Sequence, residues 1–194
     1  NYFGILWKGE TMNIFFIAAE PEQAAKDLCL KHKPKMCVES AQMMASALIR
    51  NGATPDSMPL TKSGTNYKGG YKHHPSTRWA GECVENYRWL ARHALQQCVS
   101  YTETYGKVHA CEQPIRKMAN HYAIRYMPVL GTTTNIPLAM NEETTRHVPM
   151  ALGVEEYRDY YYRKTNVMTI AWPDNQTPTW WKEVCEKNEG GLND

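Results

Sequence analysis

The sequence predicts a mainly α-helical fold: a single helical domain with a short N-terminal strand and two long loops. The chain has 194 residues, which is room for about one domain. Apolar side chains recur every three or four residues in several segments, which is the period of an α-helix. The longest uninterrupted apolar run covers residues 14–19. This run is far shorter than the ~20 residues of a membrane span, so no membrane partner is expected.

The short apolar segment Asn13–Ala18 contains β-branched and aromatic residues, so it predicts a buried strand or extended segment. The strongest helical pattern follows between Ser76 and Tyr105 and predicts one amphipathic helix ended by Gly106. Its apolar stripe consists of Trp79, Cys83, Tyr87, Leu90, Ala94, Cys98, Tyr101 and Tyr105. We expect Trp79, Leu90 and Cys98 to belong to the core.

The remaining helices are predicted from caps and prolines. A first helix is predicted to begin at Glu20-Pro21. Pro34 either kinks this helix or starts the next one, and the helical pattern ends at Asn51-Gly52. Others are predicted near Pro114, over about 154–164, and after Thr177-Pro178. The long loops are residues 51–75 and 128–153.

The sequence predicts that the two ends of the chain lie outside the folded domain. Codons for Lys8-Gly9-Glu10 can form a bacterial ribosome-binding site ahead of Met12. We therefore expect residues 1–11 to be a translated leader of a bacterial or phage gene, 12–187 to form the domain, and 188–194 to be a flexible tail. The alternative is that the residues before Met12 form a real strand.

Charge and cysteine content narrow the class of protein. The chain carries a net charge of +2, whereas residues 26–81 alone carry +6. This asymmetry indicates an anionic partner on one face, or a surface whose charges are balanced by other segments. The six cysteines contain no CxxC pair, so we expect a reduced cytoplasmic protein with no metal and no cofactor.

The first long loop contains a segment rich in Gly, Lys, Tyr and His, residues 66–75. Glycines allow close approach of the backbone, lysines can meet phosphates, and tyrosines can stack on bases. The segment predicts nucleic-acid contact, the alternative being a flexible solvated loop.

The basic stretch before residue 40 is the best candidate for chemistry. Lys31, Lys35, Glu39 and Gln42 share one face of a continuous helix, with His32 and Lys33 beside them. A carboxylate among lysines can assist a leaving group, and a crowded lysine can serve as an amine nucleophile. The alternative is an ordinary surface pair, because Lys35 and Glu39 are four residues apart.

Three blocks of the sequence carry a resemblance to known proteins: AAKDLCLKHKPKMCVESAQMMASAL (24–48), HHPSTRWAGECVENYRWL (73–90) and EEYRDYYYRKTNVMTIAWPDNQTPTWW (155–181). They resemble a family of small phage and bacterial proteins, relatives of which are labelled pyrimidine-dimer DNA glycosylases. The resemblance implies a mainly helical protein that binds damaged DNA, flips out a base, and cleaves the glycosidic bond through an amine assisted by a glutamate.

Carried over by motif, the resemblance implies catalytic roles for Glu39, Lys35 and Lys31. It places His74, Arg78 and Trp79 in an HP-x-x-x-W segment, and Asn86 and Trp89 in an NY-WL segment. With the basic segments, the DNA-binding set is His32, Lys33, Lys68, Lys72, His74, Arg78 and Asn86. The family's nucleophile is the α-amine of a small residue exposed by Met removal, whereas Asn13 follows Met12 here. Either a lysine replaces that amine, or the lyase chemistry is absent.

Three functions therefore stay open at the level of the sequence. The first is an enzyme that acts on damaged or modified pyrimidine bases in DNA. The second is a non-catalytic phage DNA-binding protein. The third is a thymine- or nucleotide-modifying enzyme, which would depend on an added group donor. The oligomeric state is not predicted.

Overall fold

Helices dominate the computed structural model, which describes residues 13–140 and 145–190 and confirms the predicted fold class. Within these ranges the α-helices are Pro21–Lys26 (α1), His32–Arg50 (α2), Pro75–Ala80 (α3), Val84–Tyr105 (α4), Glu112–Ala119 (α5), Met150–Arg163 (α6) and Thr179–Gly190 (α7). Short 3₁₀ turns cover Pro55–Ser57, Tyr122–Tyr126 and Lys164–Asn166. Two short strands, Ile136–Pro137 (β1) and His147–Val148 (β2), pair antiparallel with Ile136 opposite Val148.

The helix α4 forms the centre of the fold and packs against α1, α2, α3 and α5. The predicted apolar stripe is buried as far as Cys98, whereas Tyr101 is half-buried and Tyr105 is exposed. The side chains of Trp79, Leu90 and Cys98 are all inaccessible to solvent, as expected. Gly106 ends α4 in the left-handed region with φ of 67°, where glycine carries no steric penalty.

The prediction of one continuous helix from Ser76 to Tyr105 is wrong. The chain breaks after Ala80, and Cys83 takes an extended conformation with φ of −153° and ψ of 167°. Asn86 compensates for the break, because its Nδ2 donates to the Trp79 carbonyl oxygen at 2.8 Å. The two helices keep nearly the same apolar stripe, so the periodicity does not reveal the break.

The predicted N-terminal strand is not formed. Residues Asn13–Ala18 are buried and lie outside the strands assigned in the described part of the chain. Helix side chains bind this backbone instead: Arg158 Nε donates to the Ile17 carbonyl oxygen at 2.9 Å, and Trp89 Nε1 donates to that of Ala19 at 2.8 Å. Phe16 packs against the rings of Trp79, Trp89 and Tyr157.

The helix ends move by a few residues from their predicted positions. The helix α2 begins at His32, so Pro34 lies in its first turn. The helix α6 begins at Met150, four residues early, and α7 runs through Gly190 into the segment predicted as a tail. The predicted leader, residues 1–11, lies outside the described residues. None of the described helices is long and apolar enough to cross a membrane.

Candidate functional site

Glu39 lies in the middle of α2, where its carboxylate meets two donors. The side chain is 13% exposed. Its Oε2 accepts the backbone N–H of Asn13 at 3.1 Å, and its Oε1 lies 3.4 Å from the ammonium nitrogen of Lys35. The carboxylate is thus fixed between the buried N-terminal segment and an amine that reaches solvent.

Asn13 joins four elements beside Glu39. Its Nδ2 donates to the Ala139 carbonyl oxygen at 2.9 Å, and its Oδ1 accepts from the Ser76 hydroxyl at 3.2 Å. The Tyr157 hydroxyl lies 3.2 Å from the same Oδ1 and 2.8 Å from the Pro137 carbonyl oxygen. Burial raises the pKa of Tyr157, so its hydroxyl stays protonated at neutral pH. This network holds the backbone N–H of Asn13 in place for Glu39.

Lys31 and Lys35 extend the Glu39 face toward the start of α2. Lys31 is the N-terminal flanking residue of the helix and is exposed. The side chain of Lys35 is 44% exposed while it pairs with Glu39. The structure therefore places the three residues predicted to be catalytic along one helix face, as their spacing indicates.

The glycine-rich loop packs on the same helix further along. Ser46 Oγ donates to the Gly70 carbonyl oxygen and accepts the Gly70 N–H, both at 2.9 Å. Gly69 has φ of 72°, and a side chain there would collide with the hydroxyl of Ser46. Only glycine fits this approach at position 69.

The loop contributes Lys68 and Lys72 to an exposed basic surface, which we define as Arg50, Lys68, Lys72 and Arg78. Arg50 holds it together, because its guanidinium donates to the carbonyl oxygens of Lys72 at 3.1 Å and Arg78 at 3.3 Å. Ser46 lies seven residues beyond Glu39, which is about 10 Å along the helix axis. The loop that carries Lys68 and Lys72 therefore packs on α2 at a distance of about 10 Å along the axis from Glu39.

His74 has a structural contact at the edge of this surface. Its Nδ1 accepts the backbone N–H of Ser76 at 3.2 Å and so caps α3. Partial burial lowers the pKa of His74, so its ring is neutral at pH 7. It follows that His74 adds no positive charge toward a phosphate at this pH.

Three residues predicted to bind DNA are buried in the structure, so they do not lie on an exposed DNA-binding face. His32 is 2% exposed, stacks on Phe15, and has its Nδ1 2.8 Å from the Tyr161 hydroxyl. Asn86 is fully buried and bonds Trp79 and Thr134. Lys33 is 2% exposed and leaves α2 on a different side from Glu39, where it lines a separate cavity. Their positions next to charged residues in sequence gave no indication of burial.

The sequence did not single out Asn13, Ser76 or Tyr157 as neighbours of Glu39. A weak signal was present, because Asn13 is the one polar residue at the start of an otherwise apolar segment. A polar side chain that leads a buried run must find partners inside the protein. Tyr157 offers no comparable signal, since it lies in a run with four tyrosines.

Metal ligands do not cluster in the part of the chain that the structure describes. No group of three or more His, Cys, Asp or Glu side chains there could hold a metal ion. The polar groups at Glu39 are an amine, amides and hydroxyls, which suit proton transfer and anion binding.

Comparisons of the chain with protein-family models, curated proteins and solved structures give no match. The function is therefore argued from the residues around Glu39 and the basic surface.

Proposed function

We propose that this chain binds DNA and acts on damaged or modified pyrimidine bases in the manner of a DNA glycosylase and lyase. The observation that carries the proposal is the Glu39 carboxylate, largely buried and 3.4 Å from the Lys35 amine. The resemblance of residues 24–48, 73–90 and 155–181 to pyrimidine-dimer glycosylases supports the same reading.

The basic surface supplies the attraction for DNA. Arg50, Lys68, Lys72 and Arg78 offer positive groups for successive phosphates. Tyr71 is 58% exposed between Lys68 and Lys72, so its ring is available to stack on an unpaired base. An extruded nucleotide next to this surface would meet Lys35 and Glu39 along the same helix face.

The proposed chemistry uses Lys35 as the nucleophile. Glu39 accepts a proton from the Lys35 ammonium, and the free amine forms a bond to C1′ of the sugar. The glycosidic C1′–N bond breaks, and the base leaves with the bonding electrons and takes up the proton that Glu39 had accepted. The C1′–O4′ bond of the sugar ring then breaks and a proton moves from Nζ to O4′, which leaves a protonated imine between Nζ and C1′. Glu39 is ionised again once it has given its proton to the base, and its carboxylate then stabilises the positive charge of the imine.

The test is reductive trapping on ultraviolet-treated duplex DNA. Borohydride reduces an imine to a stable amine, so the parent protein should become covalently attached to the DNA, with the adduct on Lys35 by mass spectrometry. Lys35→Ala should lose the adduct. Lys182→Ala is the matched control, because Lys182 forms an exposed pair with Glu186 at the same four-residue spacing. An adduct that survives in Lys35→Ala would place the nucleophile elsewhere.

A second function, DNA binding without catalysis, has one observation in its favour. The Lys35–Glu39 pair shares its spacing and geometry with Lys182–Glu186, which is an ordinary surface ion pair. This alternative is distinguished by DNA binding in the absence of any strand nicking or trapped adduct.

The basic surface makes a prediction that applies to both functions. Changing Lys68 and Lys72 together to alanine should reduce the slope of log K against log salt concentration by about 2, since each neutralised phosphate contributes about 0.9. The measurement is duplex DNA affinity by fluorescence anisotropy over a range of salt concentrations. The double variant Lys182→Ala, Lys187→Ala serves as the charge-matched control. An unchanged slope in the Lys68, Lys72 variant would mean that these lysines do not contact phosphates.

A further inference from the structure

A cavity of about 600 Å³ lies away from the Glu39 face, between α1, the first turn of α2, α4, α6 and the start of α7. Charged side chains from separate elements line it, among them Asp27, Lys33, Glu103 and Arg158. The proposed DNA chemistry uses none of these groups. Their hydrogen bonds indicate what the cavity would bind.

Lys33 is the most unusual of these groups, because a lysine that is 2% exposed needs partners for its charge. Its ammonium approaches the Lys26 carbonyl oxygen at 3.5 Å, which is the outer limit of a hydrogen bond. Among the described residues, no acceptor takes its other two N–H groups. Burial lowers the pKa of Lys33, while the charge of Glu103 acts in the opposite direction.

Arg158 adds a second cation with spare donors. Its Nε donates to the Ile17 carbonyl oxygen at 2.9 Å, and its guanidinium lies over the Trp180 ring at 5.1 Å. Neither terminal nitrogen donates to an acceptor in residues 13–140 or 145–190. One hydrogen bond and the contact with the Trp180 ring thus orient the guanidinium, and its two terminal nitrogens are available to donate to a ligand.

The nearby carboxylates of Asp27 and Glu103 do not accept hydrogen bonds from Lys33 or Arg158. Each oxygen of Asp27 already accepts one hydrogen bond, Oδ1 from Gln23 Nε2 at 2.7 Å and Oδ2 from Trp180 Nε1 at 2.8 Å. Burial raises the pKa of Asp27, while the charges of Arg158 and Lys33 act in the opposite direction. Glu103 lies on an exposed position of α4, where solvent screens its charge.

The start of α7 adds further N–H donors to those of Lys33 and Arg158. Thr179 and Trp180, the first two residues of this 12-residue helix, both line the cavity. The first N–H groups of a helix lack partners within the helix, and its dipole is positive at this end. Two cations with unfilled donors and a helix N-terminus therefore border one cavity.

We propose that this cavity is a binding site for a small organic oxyanion, a molecule that carries a phosphate or carboxylate group. Lys33 and Arg158 would each donate to the oxyanion, and the amides of Thr179 and Trp180 would complete its coordination. The site is independent of the DNA chemistry proposed for Lys35 and Glu39.

The test is a titration of the full-length protein followed by the amide and indole resonances in nuclear magnetic resonance. The probes are inorganic phosphate, thymidine 5′-monophosphate and succinate, each at ionic strength matched with sodium chloride. Saturable shifts are expected at Thr179, Trp180 and the Trp180 indole N–H. Binding by phosphate and the nucleotide alone would assign a phosphate site, and binding by succinate alone a carboxylate site.

Two variants assign the binding to the cavity. Lys33→Met approximately keeps the length of the side chain. It should lower the affinity for the tightest-binding probe by about tenfold or more, because a charge-assisted hydrogen bond is lost. Arg158→Lys should weaken it as well, since it loses the two-pronged donor. Lys182→Met, a surface change on α7, should bind like the parent. Equal affinity in Lys33→Met and Arg158→Lys, or no saturable shift with any probe, would overturn the proposal.

Discussion

Replacing Leu90 with alanine is expected to lower the free energy of unfolding by about 2–5 kcal/mol. Leu90 is fully buried in α4, and α4 packs against four other helices. The substitution removes apolar surface from the core and leaves a cavity that the surrounding helices can fill only in part.

The measurement is urea denaturation followed by circular dichroism, with Leu152→Ala as the matched control. Leu152 is also a helical leucine, but it is 55% exposed on α6. The control should change the free energy of unfolding by less than about 0.5 kcal/mol. A loss that small in Leu90→Ala would mean that the apolar stripe of α4 does not carry the core.

The fold class could be predicted because the core depends on helical periodicity, which is a local property of the sequence. Leu90, Ala94 and Cys98 are spaced four residues apart and are buried together. Spacing of this kind identifies the buried face of a helix before its neighbours are known. It also gives the end of α4, since Gly106 is suited to the left-handed conformation that it adopts.

The break between α3 and α4 and the state of Asn13–Ala18 could not be predicted, since both depend on tertiary contacts. The break is stabilised by Asn86, which binds the Trp79 carbonyl oxygen, and by Val84 N–H, which donates to the Pro128 carbonyl oxygen at 2.9 Å. The N-terminal segment has the composition of a strand, but arginine and tryptophan side chains satisfy its backbone. A sequence pattern contains no information about such distant partners.

The candidate site could be predicted only in part, because some of its residues are related by helix periodicity and others by tertiary contacts. Lys31, Lys35 and Glu39 share a face because of helix geometry alone. Asn13 reaches Glu39 across 26 residues of chain, and no local rule predicts that contact. Lys33 looked like part of the same basic cluster, yet a two-residue offset from Lys31 turns a side chain by about 200° around the helix. Because of this offset, Lys33 lines the cavity between α1, α4, α6 and α7 and does not lie beside Glu39.

Replacing Glu39 with glutamine is expected to reduce base excision by about 10²–10³-fold while DNA binding survives. Glutamine keeps the size of the side chain and can still accept the N–H of Asn13 through its amide oxygen. It removes the negative charge that would accept a proton from Lys35 and then stabilise the positive charge of the imine. The loss should therefore appear in the excision rate and not in the affinity for damaged DNA.

The measurement is single-turnover nicking of ultraviolet-treated DNA, with affinity determined in parallel. Glu186→Gln is the matched control, because it removes the acid from the exposed Lys182–Glu186 pair. If Glu39 is only a surface partner of Lys35, Glu39→Gln should cost a few tenths of a kcal/mol of stability, as exposed ion pairs do, and leave nicking unchanged. The two variants would then behave alike.

Comparison of Glu39→Gln with Lys35→Ala separates the remaining possibilities. If Lys35 is the nucleophile, Lys35→Ala should abolish the trapped adduct, whereas Glu39→Gln should slow excision and trapping together. If both variants nick like the parent, the chemistry lies at other residues. If the parent binds damaged DNA through the basic surface and never nicks it, the Lys35–Glu39 pair is structural and the protein acts by binding alone.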